Sequence, residues 1–141
     1  MTEISVNTPQ ELAALIEGRS DEEINTALQV LGFKKALDKV FEKMPEAFIP
    51  EKAAGQSAVI QYDVSSPEGK HTYQVKVAGG SCTIAEGSAE KPRVTLVLST
   101  PDFLRLVTGK LNGQMAFMQG KLKLSGDMIF AITMQTWFKI G

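Results

Sequence analysis

The chain has few of the side chains from which most catalytic and metal-binding sites are built. Its 141 residues include one cysteine, Cys82, and one histidine, His71. A single cysteine excludes an intramolecular disulfide and a zinc site made of several thiolates. One cysteine and one histidine together also supply too few ligands for a mixed His–Cys metal site. We therefore expect neither a metal ion nor a cofactor.

Long apolar runs and a strong net charge are also absent. No stretch of about 18 apolar residues occurs, so the sequence predicts no membrane-spanning helix. Residues 1–5 lack the basic start and apolar stretch of a secretory signal. The net charge of −1 argues against a nucleic-acid partner. The sequence ends in Lys139-Ile140-Gly141 rather than a peroxisomal signal, and we expect a cytoplasmic protein.

The charges that are present are unevenly distributed. Residues 1–56 hold ten acidic and six basic side chains, whereas residues 57–141 hold six acidic and nine basic ones. Two interpretations stay open. In the first, the two parts of the chain simply have differently solvated surfaces. In the second, four of the cations gather near a site for an anionic head group. Those four candidate head-group residues are Arg105, Lys110, Lys121 and Lys123.

The first third of the sequence has helical periodicity. Capping-box patterns begin at Thr8 and Ser20, each followed by apolar residues at helical spacing. The apolar face that follows Gly32 is out of phase with the one before it, so we predict a break or kink at that glycine. Pro45 is predicted to end this helical segment.

The middle of the sequence changes to a period of two. Residues 58–64 and 73–77 alternate between apolar and polar, and shorter strands are predicted near 81–85, 94–98 and 121–125. Gly79-Gly80 is a tight-hairpin signal. Consecutive strands on short turns predict an antiparallel meander with one covered face. Further helices are predicted from Thr100, Asn112 and Asp127. The fold class is therefore α+β, a five-stranded, largely antiparallel sheet covered on one face by helices.

The last predicted helix, 127–138, carries two apolar surfaces. The first contains Phe130, Ala131, Met134, Trp137 and Phe138, and the second contains Met128, Ile129 and Ile132. A helix with one solvent face needs only one such stripe, so we expect this helix to be covered on both sides. Three alternatives stay open for this cover: the helix lies in a solid core, it packs against a second subunit, or its second surface forms a movable wall of a cavity.

Motifs for catalysis are missing. Thr108-Gly109-Lys110 lacks the upstream glycine and following hydroxyl of a phosphate loop. His71 begins a strand beside a turn, and Cys82 lacks an activating base, so we expect no enzyme. What stands out is a cluster of methionine and aromatic residues after position 100. Such residues fill ordinary cores or line adaptable apolar cavities.

Two blocks of the sequence resemble the signature of the sterol carrier protein 2 family. They are FLRLVTGKLN at 103–112 and AFMQGKLKLSGDM at 116–128. The resemblance extends from about residue 33 to the end. We therefore divide the chain into an N-terminal helical extension, 1–32, and a lipid-binding domain, 33–141.

The resemblance implies an apolar tunnel between sheet and helices that binds fatty acids, fatty acyl-CoA, sterols or phospholipids and transfers them without a covalent step. Gln119 is expected to orient the polar end of a ligand or to make a buried hydrogen bond to backbone. The implied wall residues are Phe103, Leu106, Val107, Met115, Phe117, Met118, Gln119, Met128, Ile129 and Ile132. The alternative function is a regulatory or interaction module that acts on a protein partner. A transient contact with a membrane surface and a homodimer stay open.

Overall fold

The structure, a computed structural model, describes the backbone of residues 9–138 and the side chains of residues 10–138. The helices are α1 Pro9–Ile16, α2 Asp21–Leu31, α3 Phe33–Ala47, α4 Pro50–Ala53, α5 Thr100–Val107, α6 Gly113–Met118 and α7 Met128–Met134, followed by a 3₁₀ turn at Gln135–Trp137. The strands are β1 Ala58–Ser66, β2 Gly69–Ala78, β3 Ser81–Glu86, β4 Val94–Ser99 and β5 Leu122–Gly126. The predicted cap at Thr8 lies outside the described residues.

The five strands form one mixed sheet in the order β3-β2-β1-β4-β5. The predicted α+β class and largely antiparallel sheet are confirmed, but the simple meander is wrong at β4. That strand pairs with β1 in parallel, from Ile60 opposite Val94 to Ser65 opposite Ser99. The other three pairs of strands are antiparallel.

The connection between β3 and β4 explains this crossover. Residues 87–93 carry the chain past β2 and β1 instead of turning back beside β3. The Ala89 N–H donates to Gln61 Oε1 at 2.9 Å, and the Arg93 N–H donates to the Val59 carbonyl at 2.8 Å. Loops of similar length and composition also connect ordinary hairpins. The composition of residues 87–93 therefore does not predict that the chain crosses the sheet here.

Local signals at the helix ends behave largely as predicted. Ser20 and Glu23 form a complete capping box at the start of α2. Gly32 separates α2 from α3 with φ of +99°, a conformation that other residues rarely adopt, and the predicted break is confirmed. The prediction that Pro45 ends the helix is wrong, because α3 continues to Ala47. Proline in the last turn removes only one N–H donor near a helix end that frays in any case.

The core lies between the sheet and the helices on one of its faces. Phe41 of α3 is central to it, because its ring centroid lies 4.1 Å from that of Tyr73 and 4.9 Å from that of Phe103. Tyr62 completes this aromatic group with edge contacts to Phe41 and Phe103. The tyrosines come from the sheet and the phenylalanines from two helices, so the group joins the two layers.

The N-terminal helices belong to the same core. Their buried residues are Leu12, Leu15 and Ile16 of α1 and Ile24 and Leu28 of α2. Both helices pack against α5, and α2 also packs against α3. The apolar stripe of residues 9–31 is therefore covered by the rest of this chain.

Strand β4 runs directly into α5. Ser99 caps α5 by accepting a hydrogen bond from the Asp102 N–H at 3.3 Å. The Thr100 hydroxyl donates to the Ser65 carbonyl of β1 at 2.8 Å and is fully buried. The start of α5 is thus bonded to the end of the central strand, β1. Among residues 9–138, no helix is both long and apolar enough to cross a bilayer.

Candidate functional site

Three of the predicted wall residues lie on α5, on the inner side of the helical layer. Phe103 is fully buried against Phe41 and Tyr62, and Leu106 is buried as well. Val107 is half-buried at the end of the helix and packs against the core. These residues are firmly packed core residues in the structure.

Six further wall residues lie on α6 and α7 and are exposed. Among residues 10–138, eight large apolar side chains are exposed, and six of them belong to these two short helices. The six are Met115, Phe117, Met118, Met128, Ile129 and Ile132. Met118 and Ile129 have exposed fractions of 83% and 80%. The structure therefore presents these predicted wall residues to solvent, beside a buried α5.

Helix α7 is covered on one side only, so the expectation of cover on both sides is wrong. Phe130, Ala131, Met134 and Trp137 are buried, which confirms most of the first apolar stripe. Phe138 is half-buried, with its ring centroid 5.6 Å from that of Phe48. The second patch is left open because α7 lies over β4 and β5, and β5 is the last strand of the sheet.

Helix α6 is held by its N-terminus and by two small residues. The Asn112 side chain accepts hydrogen bonds from the N–H groups of Gln114 and Met115. Gly113 and Ala116 are the buried positions of the helix. A Cβ at Gly113 would overlap the side chain of Gln135, so a glycine lets α6 approach the end of α7. Sequence analysis missed this contact; the signal was a glycine inside a predicted helix.

The start of α7 is fixed by Arg93, which sequence analysis also missed. The guanidinium lies 4.1 Å from the ring centroid of Phe130, and its Nε lies 3.3 Å from Asp127 Oδ2. Asp127 caps the helix by accepting from the Phe130 N–H at 2.9 Å. This backbone hydrogen bond, followed by the Arg93 contact, holds the pKa of Asp127 below its ordinary value.

The four predicted head-group cations do not form one cluster. Arg105 donates to Asp21, to Asp102 at 3.1 Å and to the Arg19 carbonyl at 3.2 Å. Lys110 donates to Glu17 at 3.0 Å. Two of the four cations therefore bind the acidic N-terminal helices, which accounts for part of the uneven charge distribution.

The other two cations, Lys121 and Lys123, lie on and just before β5. Both side chains are exposed, and neither has an ion-pair partner among residues 10–138. Gln119 is exposed at the end of α6, so the alternative of a buried hydrogen bond to backbone is wrong.

The two candidate catalytic groups, His71 and Cys82, lie on different strands, β2 and β3. His71 Nε2 lies 3.0 Å from the Ser66 hydroxyl. Burial raises the pKa of the Cys82 thiol to about 11, which disfavours the reactive thiolate. Within residues 10–138, no group of three or more His, Cys, Asp or Glu side chains is placed to hold a metal ion.

The family model that matches this chain is that of the SCP-2 sterol transfer family, over residues 37–139. The chain belongs to this family. It is 35% identical over 131 residues to human sterol carrier protein 2, an alignment that covers 89% of this chain and 23% of the relative. The chain thus spans about a quarter of the length of such relatives. Membership of this family supports lipid binding and transfer as a general function.

Solved structures show the same fold. The crystal structure of sterol carrier protein 2 like 2 from Aedes aegypti superposes with a TM-score of 0.62 at 22% identity, over 74% of this chain and 98% of that one. An NMR structure of the mosquito protein described as palmitated gives 0.57 at 23% identity, over 71% and 87%. The sec-alkylsulfatase Pisa1 from Pseudomonas sp. gives 0.66 at 18% identity, over 94% of this chain and 24% of the enzyme.

Proposed function

We propose that this chain binds lipids that carry a long acyl chain and transfers them without a covalent step. The acyl chain lies in an apolar tunnel between the sheet and helices α5, α6 and α7. The observation that carries this proposal is the concentration of exposed methionine, isoleucine and phenylalanine on α6 and α7. Exposed apolar surface of this kind is costly in water and marks a binding site.

The wall of the proposed tunnel has a fixed part and a movable part. Phe103, Leu106 and Val107 belong to α5, whose start is bonded to the sheet through Thr100. Helices α6 and α7 are short and carry the exposed patch, so they supply the movable cover. Methionine suits this role because its unbranched side chain adapts to different ligand shapes. Gln119, at the end of α6, meets the polar end of the ligand.

Simple energetics set the expected affinity. Burial of about fifteen methylene groups at ~0.8 kcal/mol each contributes ~12 kcal/mol in favour of binding. Loss of translational and rotational freedom and the ordering of the chain cost about 4–15 kcal/mol. Micromolar affinity is therefore expected, with weak discrimination between chain lengths.

The mosquito protein described as palmitated supports a fatty acyl ligand for this fold. We further propose that the chain acts as a carrier rather than an enzyme, that it acts in the cytoplasm, and that residues 1–32 extend a lipid-binding domain at 33–141. A regulatory module that acts on a protein partner is not favoured, because the family supports lipid binding.

Titration with a fluorescent fatty acid tests the proposal. We expect saturable micromolar binding that palmitate and oleoyl-CoA displace. Ile132→Asp, in the open patch of α7, is expected to weaken binding at least tenfold, whereas Val30→Asp, on the exposed face of α2, leaves it unchanged. The absence of saturation and competition across several lipid classes would refute lipid binding, and co-purification of a protein partner would then favour the alternative.

A further inference from the structure

The two ends of α7 are held in different ways. At the C-terminal end, Met134 and the following Trp137 are fully buried, and the Ile49 N–H donates to the Trp137 carbonyl at 2.6 Å. At the N-terminal end, Met128 and Ile129 are exposed. The C-terminal end of the helix is therefore anchored in the core, and any outward movement of α7 begins at its N-terminal end.

Arg93 holds that N-terminal end through its backbone and its side chain. Its N–H donates to the Val59 carbonyl of β1 at 2.8 Å, and its carbonyl accepts from the Asp127 N–H at 3.0 Å. Its guanidinium lies 4.1 Å from the ring centroid of Phe130, and its Nε donates to Asp127 Oδ2 at 3.3 Å. We call these two side-chain contacts the latch. The latch joins the first turn of α7 to a residue that is bonded to the central strand of the sheet.

The latch contacts are weak enough to break without unfolding the core. The side chains of Arg93 and Asp127 are 43% and 41% exposed, so water can replace their ion pair. Exposed ion pairs contribute little to stability, and a cation–π contact at an exposed site adds only a modest amount. The anchor at the other end of α7 is much stronger, because the whole Trp137 side chain is buried there. Release of the latch therefore frees one end of the helix and leaves the other in place.

The chain enters α7 through a glycine that suits such a movement. Gly126, the last residue of β5, has φ of +106°. A Cβ at this position would overlap the carbonyl oxygen of Arg93, so the glycine lets β5 end directly beside the latch. Glycine also adopts more backbone conformations than any other residue. Gly126 can thus take up the change in chain direction when the N-terminal end of α7 moves.

We propose that Arg93 is a positioning residue whose latch holds α7 closed, and that release of the latch sets the rate at which an acyl ligand enters and leaves. When the guanidinium leaves Phe130 and Asp127, α7 pivots on its buried end near Trp137. Phe130 then moves away from Trp137, whose ring centroid lies 5.3 Å from its own, and the space between α7 and strands β4 and β5 opens.

This inference rests on the proposed function, because it concerns the exchange of the lipid that α7 covers. The latch uses the cap and the buried face of α7, whereas the residues expected to meet the lipid lie on its exposed face. It can therefore close on the free chain and on the loaded chain alike. A gate of this kind changes the rates of association and dissociation together and has little effect on their ratio, the dissociation constant.

Stopped-flow kinetics with a fluorescent fatty acid test the proposal. Arg93→Gln removes both contacts of the latch and is expected to raise the association and dissociation rate constants about tenfold each. The dissociation constant should change by less than about twofold. Arg93→Lys keeps the charge but loses the planar group that lies on Phe130, so we expect a smaller rise in both rates.

The partner of Arg93 provides a second variant. Asp127→Asn removes the ion pair but keeps a good helix cap, because asparagine caps helices as well as aspartate does. It should also raise both rates. In the double variant Arg93→Gln/Asp127→Asn, the two effects should be less than multiplicative, since each substitution removes the same contact.

Acrylamide quenching of Trp137 in the absence of lipid gives an independent measure of the latch. Trp137 is the only tryptophan, so the signal comes from one site. We expect stronger quenching in Arg93→Gln, because Phe130 leaves the indole ring more often. A purely structural role for Arg93 would lower the thermal midpoint or the affinity without speeding up association.

Lys34→Gln is the matched control. Lys34 forms an ion pair with Glu86 that joins α3 to β3, at the opposite edge of the sheet from β5. Its loss should leave both rate constants and the quenching of Trp137 unchanged. Equal increases in Lys34→Gln would show a general loosening of the fold and would overturn the latch, as would lower affinity in Arg93→Gln without faster association.

The same measurements separate this inference from the proposed function. Saturable fatty acid binding with unchanged rate constants in Arg93→Gln overturns the latch alone and leaves lipid binding supported. The absence of saturable binding to the unmodified chain refutes the proposed function, and the role of Arg93 in ligand exchange is refuted with it.

Discussion

At the scale of single residues, phenylalanines from two successive sequence blocks have very different surroundings. Phe103 and Phe117 both belong to the blocks that resemble the sterol carrier protein 2 family. Phe103 is fully buried in the aromatic group around Phe41, whereas Phe117 is 41% exposed on α6. Sequence motifs identify both positions as important, but only packing tells which one stabilises the fold.

Substitution of these two phenylalanines should separate stability from binding. Phe103→Ala is expected to lower the free energy of unfolding by about 3–5 kcal/mol, because it leaves a cavity in the core. Phe117→Ala should cost much less, since its ring is already partly in water. Urea denaturation of both variants measures the difference. Equal costs would contradict the packing described for Phe103.

The single cysteine offers a second test at this scale. Because burial raises the pKa of Cys82 from 9.0 to about 11, its thiolate is roughly a hundredfold scarcer than that of an unfolded thiol near neutral pH. Its reaction with a thiol-specific reagent should be slower than that of the urea-unfolded chain by a similar factor. The unfolded thiol ionises first, so the contribution of Cys82 to stability is lost as pH rises from about 9 to 11. Equal rates in the folded and unfolded chain would show that the thiol is not shielded.

At the scale of helices and strands, local signals predict well and long-range ones do not. The capping box at Ser20, the break at Gly32 and the alternation of β1 depend on residues close in sequence, and all three agree with the structure. The parallel pairing of β4 with β1 depends on where a loop crosses the sheet. No local pattern contains that information, so the sequence alone predicts a meander.

The candidate site shows the same difference between local features, which the sequence predicts, and long-range contacts, which it does not. The periodicity of α7 predicts which residues share a face, and Phe130, Ala131 and Met134 are buried as expected. Whether the opposite face is covered depends on what lies beyond β5, which the periodicity does not contain. The contacts of Arg93 with Asp127 and Phe130 join residues more than thirty positions apart. Single-sequence patterns gave no signal for them.

The 3₁₀ turn that follows α7 contains a fluorescent reporter. Trp137 is the only tryptophan, and its ring makes an edge contact with Phe130 at 5.3 Å. If α7 moves to cover an acyl chain, the surroundings of this ring change, and we expect a shift in its fluorescence emission at saturating fatty acid. Val30→Asp, on the exposed face of α2, should show the same shift. Unchanged emission together with unchanged affinity in Ile132→Asp would remove α7 from the binding site.

At the scale of the whole molecule, the N-terminal helices connect charge with packing. Five of their apolar residues are buried, and their acidic residues bind Arg105 and Lys110 near α5. Exposed ion pairs of this kind contribute little to stability, so burial provides most of the attachment. The family model begins at residue 37, after these helices.

Deletion of residues 1–31 tests how far the two parts are separable. The sheet, α3 and α5 retain their mutual contacts, so we expect a cooperative thermal transition to remain. Its midpoint should fall, because removal of the buried residues of α1 and α2 uncovers apolar surface on α5. Thermal denaturation followed by circular dichroism measures both features. Complete loss of the transition would show that the helices are required for the fold.

The direct junction between β4 and α5 has a consequence for motion. No linking residue separates Ser99 from Thr100, and the Thr100 hydroxyl is bonded to the end of β1, so α5 is held to both β4 and the central strand β1. Helices α6 and α7 instead adjoin the edge strand. Amide hydrogen exchange should therefore be graded across the layer, slowest in α5 and fastest in α6 and α7. A bound lipid that closes the cover should slow exchange in α6 and α7 while leaving α5 almost unchanged.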